Sequence, residues 1–198
     1  MAKTTIPIIL LLCFTACSYA QKHVPQKTIN SVLPHPIRSI ITKDGSITID
    51  PKIVAENKNL QEFINDLQTS KLTLSYKSDN IPAFISSFLK QLSNGDFTIA
   101  NPGNDWNCCD DDHDEKLPNR KLICMGKDGC LFLISYLTGG IGESQHLVLI
   151  TYKNETITDF WTGTLWGDLK SKKTILESLN KSKNEHYGFG FKNNMFDL

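Results

Sequence analysis

The sequence predicts an α+β fold, an antiparallel β-meander with two to three helices packed on one face. Three observations carry that expectation. Between residues 121 and 162, four segments rich in β-branched and aromatic residues follow one another with short turns between them. Ahead of them lie two stretches whose apolar residues recur at helical spacing. A third helical stretch follows them, over 171–182.

The elements can be justified in order. Ser39-Ile-Ile-Thr-Lys43 and Ser46-Ile-Thr-Ile49 flank Asp44-Gly45, a dipeptide suited to both central positions of a type I′ turn, so a hairpin is expected. Asp50-Pro51 supplies a cap residue and a proline for the first helical position. One helix is expected over 51–68, where Leu60, Phe63, Ile64 and Leu67 fall at i, i+3, i+4 and i+7. Asn59 and Glu62 can reseed it as a capping-box variant. Leu72, Leu74 and Tyr76 alternate as in a short strand with one buried face.

The stripe Ile81, Phe84, Ile85, Phe88, Leu89 and Leu92 predicts a helix over 81–93. Asp79 or Asn80 can cap it, Pro82 suits its first turn and Gly95 ends it. Residues 101–118, rich in turn formers and acids, read as a loop. Strands are expected at Lys121–Met125, Cys130–Thr138, Gln145–Tyr152 and Thr156–Thr162. Leu131 to Leu137 is apolar almost throughout, so that strand should be central and covered on both faces. Gly139-Gly140 and Gly142 read as a flexible turn, and Ile175, Leu176 and Leu179 should face inward from the last helix. Helices followed by a curved meander are similar in outline to the NTF2-like and cystatin-like folds, with no shared motif behind the likeness.

The first twenty residues belong to a different pattern. Lys3 precedes an apolar run from Ile6 to Phe14, interrupted only by Pro7. That run is too short to cross a bilayer core of ~30 Å, which takes ~20 helical residues. A short apolar run between a cation and small residues is an export signal. Phe14-Thr15-Ala16-Cys17 resembles the lipobox of bacterial lipoproteins, with Phe14 where leucine is usual. The resemblance implies that Cys17 is lipidated and becomes the first mature residue, anchored to a membrane outside the cytoplasm. Acyl chains contribute ~0.8 kcal/mol per buried CH₂, and two or more give a stable anchor. The alternative is Ser18-Tyr19-Ala20, an A-x-A-like site that releases a soluble periplasmic or secreted chain before Gln21. The expected layout is a signal peptide over 1–16, a tether over 17–37 carrying Pro25, Pro34 and Pro36, and a single α+β domain over 38–198.

Charge and cysteine usage narrow the function classes. Basic and acidic side chains balance at 21 each, with no basic stripe, so nucleic acid is not an expected partner. No cofactor motif is present. Cys108, Cys109, Cys124 and Cys130 form an even set which, in an oxidising compartment, suggests disulfides. Pairing the adjacent Cys108 and Cys109 with each other would be strained, so cross-links from 108 or 109 to 124 or 130 are favoured. If Lys127-Asp128-Gly129 is a three-residue loop, Cys124 and Cys130 share a face. If Lys127-Asp128 is a two-residue loop, they point to opposite faces.

Three constellations could carry chemistry. In the acidic loop 104–115, Asp110, Asp112 and Asp114 have the spacing that opens a calcium loop. Glu115 then stands where that loop needs glycine, and Lys121 where it needs a bidentate glutamate. His113 and Cys109 lack the spacing of a zinc site. The segment from His146 to Asp159 loosely resembles the histidine-bearing strands of papain-like cell-wall peptidases, which would make Cys130, His146 and Asp159 a hydrolase triad. A two-residue turn at Asn154-Glu155 sets Ile150 opposite Asp159 and leaves His146 about 13 Å along the strand, against that reading. Trp106, Trp161 and Trp166, with Phe160 and Tyr136, can line a binding surface or fill the core. Phe160 and Trp161 are consecutive in a strand and must face opposite sides. Small envelope lipoproteins of this size act as inhibitors, immunity factors or assembly partners. The resemblance therefore implies a binding or inhibitor-type module whose partner is another envelope or secreted protein.

Overall fold

The computed structural model describes residues 38–43, 46–93, 95–109, 114–140 and 142–183. The signal peptide, Cys17, the tether, the Asp44-Gly45 turn, Asp110, Asp112 and His113 lie outside the described residues. The predicted α+β arrangement is present. Its centre is an open antiparallel sheet of five strands in the order β3(Thr73–Ser75), β4(Arg120–Asp128), β5(Leu131–Thr138), β6(Ser144–Lys153) and β7(Thr156–Thr164). The expected hairpin forms a separate two-stranded sheet, β1(Ile40–Lys43) with β2(Ser46–Ile49), pairing Ile40 with Ile49 and Lys43 with Ser46.

The expected helix over 51–68 is two helices, α1(Pro51–Ala55) and α2(Leu60–Thr69). Asp50 caps α1 by accepting from the Lys52 N–H, with Pro51 at its start. The break falls at Asn57, whose φ of 54° is a left-handed conformation that asparagine tolerates and a helix does not. Asn59 precedes α2 but makes no capping bond, so the capping-box variant does not form. Leu60, Phe63, Ile64 and Leu67 are buried as their spacing predicts.

The next helix, α3(Ala83–Leu92), starts two residues later than expected, after a 3₁₀ turn at Ser78–Asn80. Pro82 takes the cap position, and no side chain caps the end. A missing cap costs about 1 kcal/mol. Burying Ile85, Phe88, Leu89 and Leu92 outweighs it, at ~1.5–3 kcal/mol for each side chain. The last helix, α4(Lys172–Ser182), opens with a reciprocal capping box between Ser171 and Thr174.

Alternation along the strands sorts the layers. Phe160 meets Phe88, and Tyr152 meets Phe84, so α3 covers one face of the sheet. Asp159 and Trp161, which point the other way, bond Asn59 and Asn57 of the α1–α2 corner. On that second face the Leu169 carbonyl accepts from Ser135, and the α4 side chain Lys172 reaches the Gln68 and Ser70 carbonyls at the end of α2. The helical cover is therefore divided between the two faces rather than gathered on one. The reason is the composition of β5 and β6. Leu133, Ile134, Val148 and Leu149 are fully buried, so apolar residues on both faces need cover.

Candidate functional site

The meander has two unlike ends. At one end lie tight two-residue turns. Asp128 pairs with Leu131, so Gly129 and Cys130 make the β4–β5 turn, and neither of the expected turns at Lys127 exists. Lys153 pairs with Thr156 around Asn154 and Glu155, whose φ values of 50° and 61° are those of a type I′ turn. At the other end lie the chain entering β4, the 139–143 connection and the chain leaving β7. Loops on a rigid scaffold are where binding and catalytic residues concentrate, so this loop-bearing end is the candidate site.

Its floor is built from strand ends. Thr138 closes β5 and pairs with Arg120 at the start of β4. A cleft of about 260 Å³ lies over them, lined by Asn107, Cys109, Asn119, Arg120, Thr138, Gly139 and Gly140. Asn107 organises the loop above. Its amide donates to the Asp114 and Leu117 carbonyls and to Asn119 Oδ1, and its Oδ1 accepts from the Asp114 N–H. Asn107 and Cys108 then pass so close to Gly139 that a Cβ there would stand 2.4 Å from the Asn107 carbonyl oxygen. The loop can seat on the sheet end only because residue 139 is glycine.

Arg120 is buried behind this cleft. Its guanidinium donates to the Asp96 carbonyl at 3.1 Å and lies 5.0 Å above the Phe97 ring. Beside it, the buried Tyr136 ring stacks on His146 with centroids 5.3 Å apart and an interplanar angle of 14°. Burial, and then the Arg120 charge, lower the His146 pKa to about 4, so the imidazole is neutral at pH 7. Its Nε2 lies 2.9 Å from Thr138 Oγ1. Lys121 points outward, with its ammonium 4.8 Å above the Trp106 ring. Trp166, just beyond β7, is 65 % exposed. Trp106, His146 and the described part of the acidic loop thus gather at one end of the sheet.

The hydrolase triad is not assembled. His146 pairs with Thr164, whereas a bulge at Thr158 sets Asp159 opposite Thr151 instead of Ile150. His146 and Thr151 are five residues apart on β6 and point to opposite faces, about 16 Å at ~3.3 Å per residue. Asp159 is buried in a different network. It accepts from the Ser39 N–H and hydroxyl, the Asn59 amide and the Phe160 N–H. Cys130 and Asp159 line a second cleft, of about 400 Å³, with Arg38, Glu62, Asp66 and Lys153, far along the strands from His146. Burial raises the Asp66 pKa there, against the opposing pull of Arg38.

The cysteines are also distributed otherwise than expected. No disulfide joins Cys108, Cys109, Cys124 or Cys130 in this structure. Cys124 is buried opposite Ser135, with its Sγ 3.2 Å from the Leu169 carbonyl oxygen, and burial raises its pKa. Cys108 and Cys109 sit on Gly139-Gly140, four and five residues along the chain from Ser135. At ~3.3 Å per residue that is about 13 to 16 Å, beyond the ~4.4–6.8 Å Cα separation a disulfide needs. Cys130 lies at the opposite end of the same hairpin. Among the described residues no group of three His, Cys, Asp or Glu side chains could hold a metal ion. Asp114, the described member of the calcium-like set, is exposed, and its Oδ1 accepts from the Lys116 N–H.

Trp161 and Phe160 do face opposite sides, and both are buried. Sequence reasoning missed Arg120 and Asn107. A signal for Arg120 exists: the chain has only two arginines, Arg38 and Arg120, and each lines a cleft. Arginine is the cation best suited to partly buried positions.

The fold and site together define an α+β domain with an open five-stranded meander and a polar cleft at its loop-bearing end. No protein-family model, curated protein or solved structure matches the chain.

Proposed function

We propose that this chain is an exported, lipid-anchored binding module of the cell envelope, acting on another envelope or secreted protein through the loop-bearing end of its sheet. The observation that carries the binding reading is Trp166. It is a large aromatic side chain, 65 % exposed, just beyond β7 at the end of the sheet where β5 closes and β6 begins. Tryptophan is enriched among residues that dominate protein interfaces. Catalysis has less support, because His146 is neutral, buried and held by Thr138 on the face opposite Asp159. The export reading rests on the apolar 6–14 run and Cys17.

Two measurements test the proposal. Mass spectrometry of the mature N-terminus should find an acylated Cys17; a free Gln21 overturns the anchor. Envelope extract passed over the immobilised domain should yield a partner whose retention drops at least ten-fold with Trp166→Ala, the size of about 1.4 kcal/mol. Equal retention on both proteins, or on neither, overturns the assigned surface.

A further inference from the structure

Cys108 and Cys109 are both exposed, and their sulfurs lie 3.2 Å apart. A disulfide bond is ~2.05 Å long, so closure needs about one ångström of further approach. Adjacent Cα atoms across a trans peptide are ~3.8 Å apart, below the ~4.4–6.8 Å that relaxed disulfides span. A bond between these residues is therefore strained, and strained, exposed disulfides are the readily reduced ones. The pair is also not anonymous surface. The Gly140 N–H donates to the Cys108 carbonyl at 3.4 Å, Cys109 bridges Gly140, and Cys109 forms part of the cleft wall beside Arg120 and Thr138.

We propose that Cys108 and Cys109 form a reversible thiol–disulfide site, closing to a vicinal disulfide by exchange with a small-molecule or protein disulfide. The thiolate of one cysteine attacks a sulfur of the incoming disulfide. That S–S bond breaks, and its second half leaves with the electron pair as a thiolate. The neighbouring cysteine thiolate then attacks the mixed disulfide and expels the remaining half. The two cysteines are oxidised by two electrons, the incoming disulfide is reduced to two thiols, and the two cysteine protons balance the released thiolates. No metal or further oxidant is needed. The site stands whether or not the cleft binds a protein partner, because it depends only on the two sulfurs and an exchanging disulfide.

Tryptic mapping reads the outcome directly. Cleavage after Lys90 and Lys116 places Cys108 and Cys109 in one peptide, 91–116, while Cys124 falls in 122–127 and Cys130 in 128–153. The folded chain is incubated with oxidised glutathione, quenched in acid and digested. Peptide 91–116 should lose the mass of two hydrogens without gaining glutathione, and reduced glutathione should restore it. The Cys108→Ser variant should instead hold a persistent glutathione adduct on Cys109. The proposal is overturned if the native pair accumulates adducts without the two-hydrogen loss, stays reduced, or links peptide 91–116 to either other cysteine peptide. It is equally overturned if Cys108→Ser clears its adduct as the native chain does.

Discussion

The side-chain amide of Asn59 donates to both carboxylate oxygens of Asp159, at 3.2 and 3.0 Å, across 100 residues of chain. The same amide reaches the Phe160 carbonyl, and Ser39 donates to Asp159 through both its N–H and its hydroxyl. All three side chains are buried. This knot fastens the β1–β2 hairpin and the α1–α2 corner to the free edge of β7. Only the amide nitrogen of Asn59 is engaged; its Oδ1, the atom an N-cap would use, is buried without a hydrogen-bond partner.

Removing the carboxylate should therefore be costly. Asp159→Ala takes the acceptor from the buried Ser39 N–H and from one Asn59 amide hydrogen, while the Ser39 hydroxyl and the Asn59 amide keep the Phe160 carbonyl, and each orphaned donor costs about 1–3 kcal/mol. Chemical denaturation should show a loss of about 3 kcal/mol or more. A loss below about 1 kcal/mol means that the knot does not stabilise the edge.

His146 should make stability depend on pH. Its folded pKa of about 4 lies below the unfolded value near 6.5. Above pH 6.5 neither state binds the proton. Between pH 6.5 and 4 only the unfolded chain does, so stability falls on acidification through that window. The shift corresponds to a loss on the order of 3 kcal/mol by pH 4. Urea midpoints measured from pH 7 to 4 should slope more steeply for the native chain than for His146→Gln, and parallel slopes would refute the assignment.

Gly139→Ala should unseat the loop. Its Cβ would meet backbone atoms of Asn107 and Cys108 at 2.4 and 2.7 Å, where no flexible side chain can yield. Overpacking of this kind costs about 1–3 kcal/mol. Amide exchange should accelerate at 107–109 and 139–140 while β5 and β6 keep their protection. Unchanged exchange in the loop would show that the close approach is not maintained in solution.

Thiol labelling should separate the cysteines by burial. Cys124 is 0 % exposed and hydrogen-bonded to Leu169, and its raised pKa keeps the thiolate scarce. Brief treatment with iodoacetamide at pH 8 should alkylate Cys108, Cys109 and Cys130 at least ten-fold faster than Cys124, judged by peptide mapping. Comparable rates would contradict the seating of Leu169 over β4.

Much of the fold was legible because it rests on short-range periodicity. The stripe from Ile85 to Leu92, the Asn154-Glu155 turn and the doubly buried β5 each follow from residues within a few positions of one another. The errors have a common cause. Asn57 and Asn59 look like helix residues until Trp161 and Asp159, distant in sequence, claim their side chains. The bulge at Thr158 moves Asp159 by one position, and the Gly129-Cys130 turn moves Cys130 out of the strand. A single shift of register reverses a residue's face, so Asp159 faces away from His146 as well as lying far along the strand, while the cysteine cross-links fail because Cys108 and Cys109 seat at the opposite end of the hairpin from Cys130.

By itself, then, the sequence determined the meander and the helical stripes, because each is written in the spacing of neighbouring residues. Tertiary structure alone decided that Arg120, Asn107, Cys109 and Gly139 meet in one cleft, that Cys108 and Cys109 are the cysteines whose sulfurs touch, and that His146 and Asp159 stay apart. Those outcomes depend on strand register and on which loops seat at which end of the sheet. Register and seating emerge only when contacts between distant residues compete for the same buried volume.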